Sequence, residues 1–483
     1  MNFNSGVYPA PRGILPSDAL KRIDQTGRTI LEKVGIKVQG NNFLDLMKRA
    51  GAEVDPTNQR VRFNPDWLDE KLAAAPSRFT LCSRDGQNDV PLGSGKVTFT
   101  NGGRVFRILD MATGGYRLTM LRDVAHTAKL VHNLDHLGFY IIACQAHDVD
   151  PDHYHLNDFY HSFNQTTKHV MGGCDNLQGV EQAWLLACLI AGGQEAVRER
   201  PFFSVITNPI SPLTIESNTL QILHFCCTKG VPVTCAPAPI SGATAPATLA
   251  GTLSQMHAEA LAGVAVAQVL APGAKVLYGA VPTIMDLRTM EFSLGSVEMA
   301  MMNTAAVQLA KLYNLPIYAS AGVTESKRPD IQSGFEKSIS NLMVGMAGAD
   351  CVHLAAGMLD SGNSISYEQF VIDDEIIGMI RKTLAGIRVD EATLGLDVIE
   401  KVGPGGNYVM EDHTIDHMMN EFFYPRLAVR SNFDIWENEG RPSMLTRAHE
   451  LVNGILDNGQ EGLFETETAV RIRKVFPGIR PTI

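Results

Sequence analysis

The chain has 483 residues, 45% hydrophobic and 19% charged, a profile that excludes disordered and fibrous proteins. Lysine and arginine number 41 against 52 aspartates and glutamates, and the net charge of −11 argues against nucleic acid or an anionic membrane as main partner. No uncharged apolar run is long enough to span a membrane, and the opening MNFNSGVYPAPRGILPSDAL lacks a leader's basic start and apolar core, so a cytoplasmic chain is expected.

Residues 1–90 read as an α/β decoration, with an amphipathic helix over 17–34 and a short strand at VRFNP. Short apolar runs then recur. An eighth strand at 96–100 (KVTFT) precedes seven others: 138–143 (GFYIIA), 168–172 (KHVMG), 202–207 (FFSVIT), 231–235 (VPVTC), 275–279 (KVLYG), 316–320 (PIYAS) and 350–355 (DCVHLA). None alternates, which is the pattern of parallel strands buried on both faces. The seven start 29 to 44 residues apart, room for a strand, a helix and two loops, and helices are expected over 249–269 and 296–313. Eight such units predict a (β/α)8 TIM barrel over 91–400; an open doubly wound sheet is the alternative. Residues 401–483 read as a helical extension packed on the barrel.

The loops NPISPLTIES, APAPISGATAPATLAG, AVPTIMDLR, AGVTESKRPD and AGMLDSGNSIS follow predicted strands, so in a barrel they line the active-site rim. Most other motifs have bland readings. His153, His155 and His161 cluster with Asp148, Asp152 and Asp158 but fit no tetrahedral spacing; a metal-dependent barrel is a weaker alternative. His413, His417 and Glu421 share a helical face, yet Thr414 stands where a zinc protease carries its base, so no metal site is expected. GPGGNY at 403–408 and GGRVF at 102–106 read as turns, and no GxSxG elbow is present. The eight cysteines form no CxxC pair and read as free thiols.

Aromatic residues cluster near strand ends: Tyr140, Phe203, Tyr278 and Tyr318, with Tyr367 and Phe370 after the last strand's loop. Such rings at one mouth would bind a quaternary ammonium by cation–π contact. Polar strand-end residues are Asn208, Glu216, Asp286, Arg288, Glu325, His353 and Asp360; His353, inside an apolar strand, needs a buried partner or a ligand.

TNGGRVFRILDMATGGYRLTMLRD, SGATAPATLAG, ASAGVTESKRPD, GMLDSGNSISYEQFVIDDE and VGPGGNY with HTIDHMMNEFFYPRLAVR resemble the trimethylamine methyltransferase family, from about residue 10 to 470. The resemblance implies a TIM barrel that passes a methyl group from a methylamine to a corrinoid (cobalamin) protein. Archaeal members carry a pyrrolysine near the strand matching 349–357; here ADCVHLAAG holds only standard residues. The chain therefore resembles the non-pyrrolysine branch, which includes glycine betaine:corrinoid methyltransferases. A quaternary ammonium releases a neutral amine without a proton donor, so a site lacking a special electrophile suffices.

On that resemblance His353 is expected at the barrel floor, and Tyr278, Tyr318, Tyr367 and Phe370 around the ammonium. Arg288, Lys327 and Arg328 are expected on the carboxylate, and Glu216 or Asp286 as stabilisers of the cation. No cofactor is expected to be tightly bound, since the cognate corrinoid protein brings the corrinoid. Carnitine, γ-butyrobetaine and proline betaine are alternative substrates, and a non-catalytic betaine-binding barrel is a further reading. The Met-rich stretches GSVEMAMMN and HMMNEFF allow a homo-oligomer.

Overall fold

The eight apolar runs form eight parallel strands. They are β1 (Thr98–Asn101), β2 (Leu137–Ile141), β3 (Val170–Gly173), β4 (Phe203–Thr207), β5 (Val233–Cys235), β6 (Val276–Ala280), β7 (Ile317–Ser320) and β8 (Cys351–Ala356). β8 pairs back on β1 at Cys351–Thr98, closing a (β/α)8 barrel and excluding the open sheet. This computed structural model describes residues 13–458 and 462–481. The start of the segment read for a leader, through residue 12, lies outside them.

Each strand is followed by a helix: α1 (Leu121–Asn133), α2 (Tyr154–Gln165), α3 (Leu177–Ala191), α4 (Ser217–Lys229), α5 (Leu249–Leu270), α6 (Val297–Leu312), α7 (Ile331–Ala347) and α8 (Tyr367–Leu384). α5 is apolar nearly all round because it is covered on both sides: by the barrel, and by the amino-terminal helix Ser17–Thr29. The segment VRFNP contributes to the strand Arg60–Arg62 of a small sheet that also pairs with Thr214–Ile215 after β4.

The barrel interior is a packed core. Phe139, Ile141, Met171, Leu277, Tyr318 and Cys351 point inward, and a hairpin, Phe79–Leu81 with Val90–Leu92, packs Leu81, Val90 and Leu92 against them. It plugs the amino-terminal end, where Gly93 N–H bonds the Asp350 carboxylate and Thr98 N–H the Asp350 carbonyl. At the other end two small sheets form the rim. One joins Ile240–Ser241, Thr283–Asp286 and Glu291–Ser293; the other joins Met358–Leu359, Ser364–Ile365, Arg107–Leu109 and Tyr116–Leu118.

A buried ion pair fixes the segment after β8. Lys337 and Asp373 are fully buried, 2.9 Å apart. Lys337 also donates to the Gly322 carbonyl, while Asp373 accepts from Gly357 N–H at 2.8 Å and from Gln369. Such a pair adds little over apolar packing, but half of it alone is costly. Lys337→Met should therefore lower unfolding stability by about 3–5 kcal/mol, and Lys337→Met/Asp373→Leu should recover part of the loss. Denaturant titration checks this; an unchanged midpoint for the single variant contradicts it.

Candidate active site

β8 does not run straight. From Val352 to Ala356 it advances four residues while β1 advances two, from Phe99 to Asn101, so β8 bulges around His353, Leu354 and Ala355. Leu354 lies in the left-handed region at φ 63°, a position costly for a branched side chain. The Asn101 amide bonds both N–H and C=O of Ile141 on β2, standing in for backbone pairing.

The bulge sets the His353 imidazole on the floor of a cavity at the carboxyl ends of the strands. The ring stacks on Tyr318, centroids 3.9 Å apart, and its Nε2 lies 2.6 Å from Ser320 Oγ. Ser320 has one proton, and it goes to the Ala280 carbonyl, which can only accept. His353 Nε2–H therefore donates to Ser320, and the unprotonated Nδ1 is left on the cavity side. Burial pushes the imidazole down to about 3, so it stays neutral.

The cavity holds about 460 Å³, within the range of small-molecule sites. Ile141, Ile206, Ala236, Val281 and Leu294 supply apolar walls. Glu216, at the N-cap of α4, and Asn208 stand at its edge, and no protein group pairs with the Glu216 carboxylate among the described residues. Arg104 enters from the loop after β1. GGRVF eases this: a Cβ on Gly103 would lie 2.6 Å from the Ile141 side chain and 3.1 Å from the Ile142 carbonyl oxygen, and one on Gly102 would push the Met358 side chain aside. Arg104 forms a double ion pair with Asp175, and Tyr154 bonds Arg104 at 2.9 Å and the same carboxylate. Three of its five N–H bonds are thus used.

The expected site residues are dispersed. His353, Tyr318 and Glu216 line the cavity. Tyr278 faces away from it: its hydroxyl lies 2.8 Å from His257 Nδ1 on α5, in the layer between barrel and helices. Tyr367 donates to Asp123 at 2.5 Å and lines a separate depression outside the barrel. Phe370 packs on Gly357 in the core. Asp286 and Arg288 pair with each other on the rim, Arg288 89% exposed, and the guanidinium pulls the Asp286 carboxyl down to about 2. Lys327 pairs with Asp360 on the outer surface, and Arg328 is exposed beside it. The four-ring cage is thus one ring, Tyr318. The cation at the cavity is Arg104, whose signal in the sequence was the paired glycine before it.

The alternative metal clusters have other partners. His155 Nε2 accepts the Asp175 N–H, His161 Nε2 donates to the Arg480 carbonyl, and His413 Nε2 to the Ala392 carbonyl. Among the described residues no three His, Cys, Asp or Glu side chains are arranged to hold a metal ion.

The family model for trimethylamine methyltransferase (MTTB) matches residues 8–474. The chain is 33% identical over 446 residues to a trimethylamine methyltransferase of Desulfitobacterium hafniense, covering 92% of this chain and 90% of that one. It is 34% identical over 448 residues to a glycine betaine methyltransferase of Desulfitobacterium hafniense, covering 92% of each. The solved monomethylamine methyltransferase of Methanosarcina barkeri superposes with a TM-score of 0.50 over 92% of this chain and 93% of that chain; at 13% identity this is a likeness of fold alone.

Behind the cavity wall Asp158 is buried with one carboxyl oxygen lacking a partner among the described residues, and burial raises its pKa to about 8. The folded chain thus holds this proton while the unfolded chain has lost it, so Asp158 contributes stability at low pH that is lost as pH rises toward 8. Asp158→Asn should raise the melting temperature more at about pH 8 than at about pH 5. Scanning calorimetry at both values checks this; an equal shift contradicts it.

Proposed function

The chain belongs to the trimethylamine methyltransferase family, and from its cavity we propose that it takes a methyl group from a small quaternary amine, glycine betaine first, and passes it to a corrinoid held by a partner protein. One observation carries the choice of substrate: the floor of the cavity offers no acid. His353 is neutral and its one N–H is committed to Ser320. A neutral tertiary amine needs protonation or another electrophile before its C–N bond will break. A quaternary ammonium does not. The acceptor's electron pair forms the new bond to the methyl carbon, the C–N pair returns to nitrogen, and a neutral tertiary amine leaves.

The chain's own groups then have placing roles. The stacked His353–Tyr318 pair presents an aromatic surface and Glu216 a negative charge to the ammonium. The apolar walls exclude water, which strengthens both. Arg104 keeps two N–H bonds beyond those given to Asp175 and Tyr154, enough to receive a carboxylate at the far end of a betaine. The corrinoid supplies the nucleophile, and its protein must cover the mouth to bring it within reach. All eight cysteines are unpaired, which supports work in a reducing cytoplasm.

Two measurements test the reading. With purified chain and reduced corrinoid, glycine betaine should give equal amounts of dimethylglycine and methylated corrinoid; faster turnover of trimethylamine counts against it. Arg104→Met should raise KM for glycine betaine about tenfold, equivalent to ~1.4 kcal/mol, yet leave tetramethylammonium binding nearly unchanged, whereas Glu216→Gln should weaken both. Equal losses for both ligands in Arg104→Met would remove Arg104 from the carboxylate.

A further inference from the structure

We infer that Glu259, on α5, is a positioning residue for Glu216, and that the small amino-terminal sheet completes the clamp; the inference rests on the reading of Glu216 as the carboxylate that meets the ammonium. Glu216 needs such help. It stands at the N-cap of α4, where a short polar side chain would fold back onto the first helical N–H groups, yet its carboxylate makes no such bond. No protein group pairs with it among the described residues, so the path of its backbone decides where the charge stands.

That backbone is the loop 208–216, between β4 and α4. Two anchors hold it. The first is Glu259, which is buried. Its carboxylate accepts the Ser211 hydroxyl at 2.7 Å and the Leu213 N–H at 2.8 Å, and Gln255, one turn earlier on α5, donates to it at 2.9 Å. All three donors are neutral, and burial raises the carboxyl above its ordinary range. A carboxyl is costly in such a place, and what it secures is the loop.

The second anchor is the sheet. Lys37 N–H donates to the Leu213 carbonyl at 2.8 Å and Gln39 N–H to the Ile215 carbonyl at 3.1 Å, so that Lys37–Val38 runs parallel to Thr214–Ile215. Leu213 is the point both anchors share. It lies in the left-handed region at φ 51°, a conformation that persists only where its surroundings enforce it. Here its N–H is held by Glu259 and its carbonyl by Lys37; Glu216 follows three residues later.

The sheet has supports apart from the loop. The strand Ile36–Val38 pairs on its other side with Arg60–Arg62, and the helix Ser17–Thr29 is tied to α5 through Asp24, 2.9 Å from His257 Nε2. Neither Glu259 nor Lys37 lines the cavity. The amino-terminal region thus reaches the substrate through the loop it holds.

Calorimetric titration of tetramethylammonium into the purified full chain tests this by a double-variant cycle. Glu259→Ala and Lys37→Pro should each weaken binding about fivefold in the wild-type background. In a Glu216→Gln background each should cost less than about twofold, because the clamp acts through that carboxylate. Glu259→Gln, whose amide oxygen still accepts the Leu213 N–H, should bind as wild type does. Lys37→Pro removes one N–H at an exposed position, and so carries the test if Glu259→Ala does not fold. Equal losses in the two backgrounds, wild-type affinity in a folded clamp variant, or a loss in Glu259→Gln as large as in Glu259→Ala overturns the clamp. Wild-type affinity in Glu216→Gln alone overturns instead the reading of Glu216 on which the clamp rests.

Discussion

A closed eight-stranded barrel has no room for bulk water, so each polar group turned inward must be matched by another protein group. Two imidazoles at opposite ends show this rule and its exception at the cavity. Near the plugged end His169 spans the Cys82 carbonyl and Ser204 Oγ, and burial takes it down to about 4. Near the mouth His353 spends its proton on Ser320 and leaves Nδ1 toward the cavity. The same dryness that keeps both rings neutral makes the floor aprotic. That one property limits the reactions the site can support.

The strands were legible because burial on both faces leaves apolar runs that need no alternation to be seen. The same feature hides which way each side chain points. Tyr278 and Tyr318 sit alike in apolar strands, and only register separates them. Gly279, not Tyr278, lies opposite Tyr318, so the two tyrosines fall on opposite faces and only Tyr318 reaches the interior. The rim sheets and the plug hairpin were unreadable for a different reason. Their strands span two to four residues, too short for any period to show.

His353 was legible as a polar residue in an apolar strand; the bulge that aims it was not, since it depends on pairing with β1. Arg104 was missed because a double glycine before an arginine reads as a turn. In the fold those glycines lie where the chain passes close to Met358 and Ile141. Arg288 and Lys327 were attractive by their place after strands, but neither lines the cavity: they pair outside it, Arg288 with Asp286 two residues away and Lys327 with Asp360 on the neighbouring loop.

On the proposed reading, the cavity recognises fixed positive charge with the His353–Tyr318 stack and one carboxylate rather than with an acid. Glycine betaine and 3,3-dimethylbutyrate share size, shape and carboxylate and differ in having nitrogen or carbon at the branched centre. Calorimetric titration of both into the purified chain isolates that charge. The account predicts binding at least about tenfold tighter for the betaine, a gap of ~1.4 kcal/mol. Equal affinity for the uncharged isostere would contradict it.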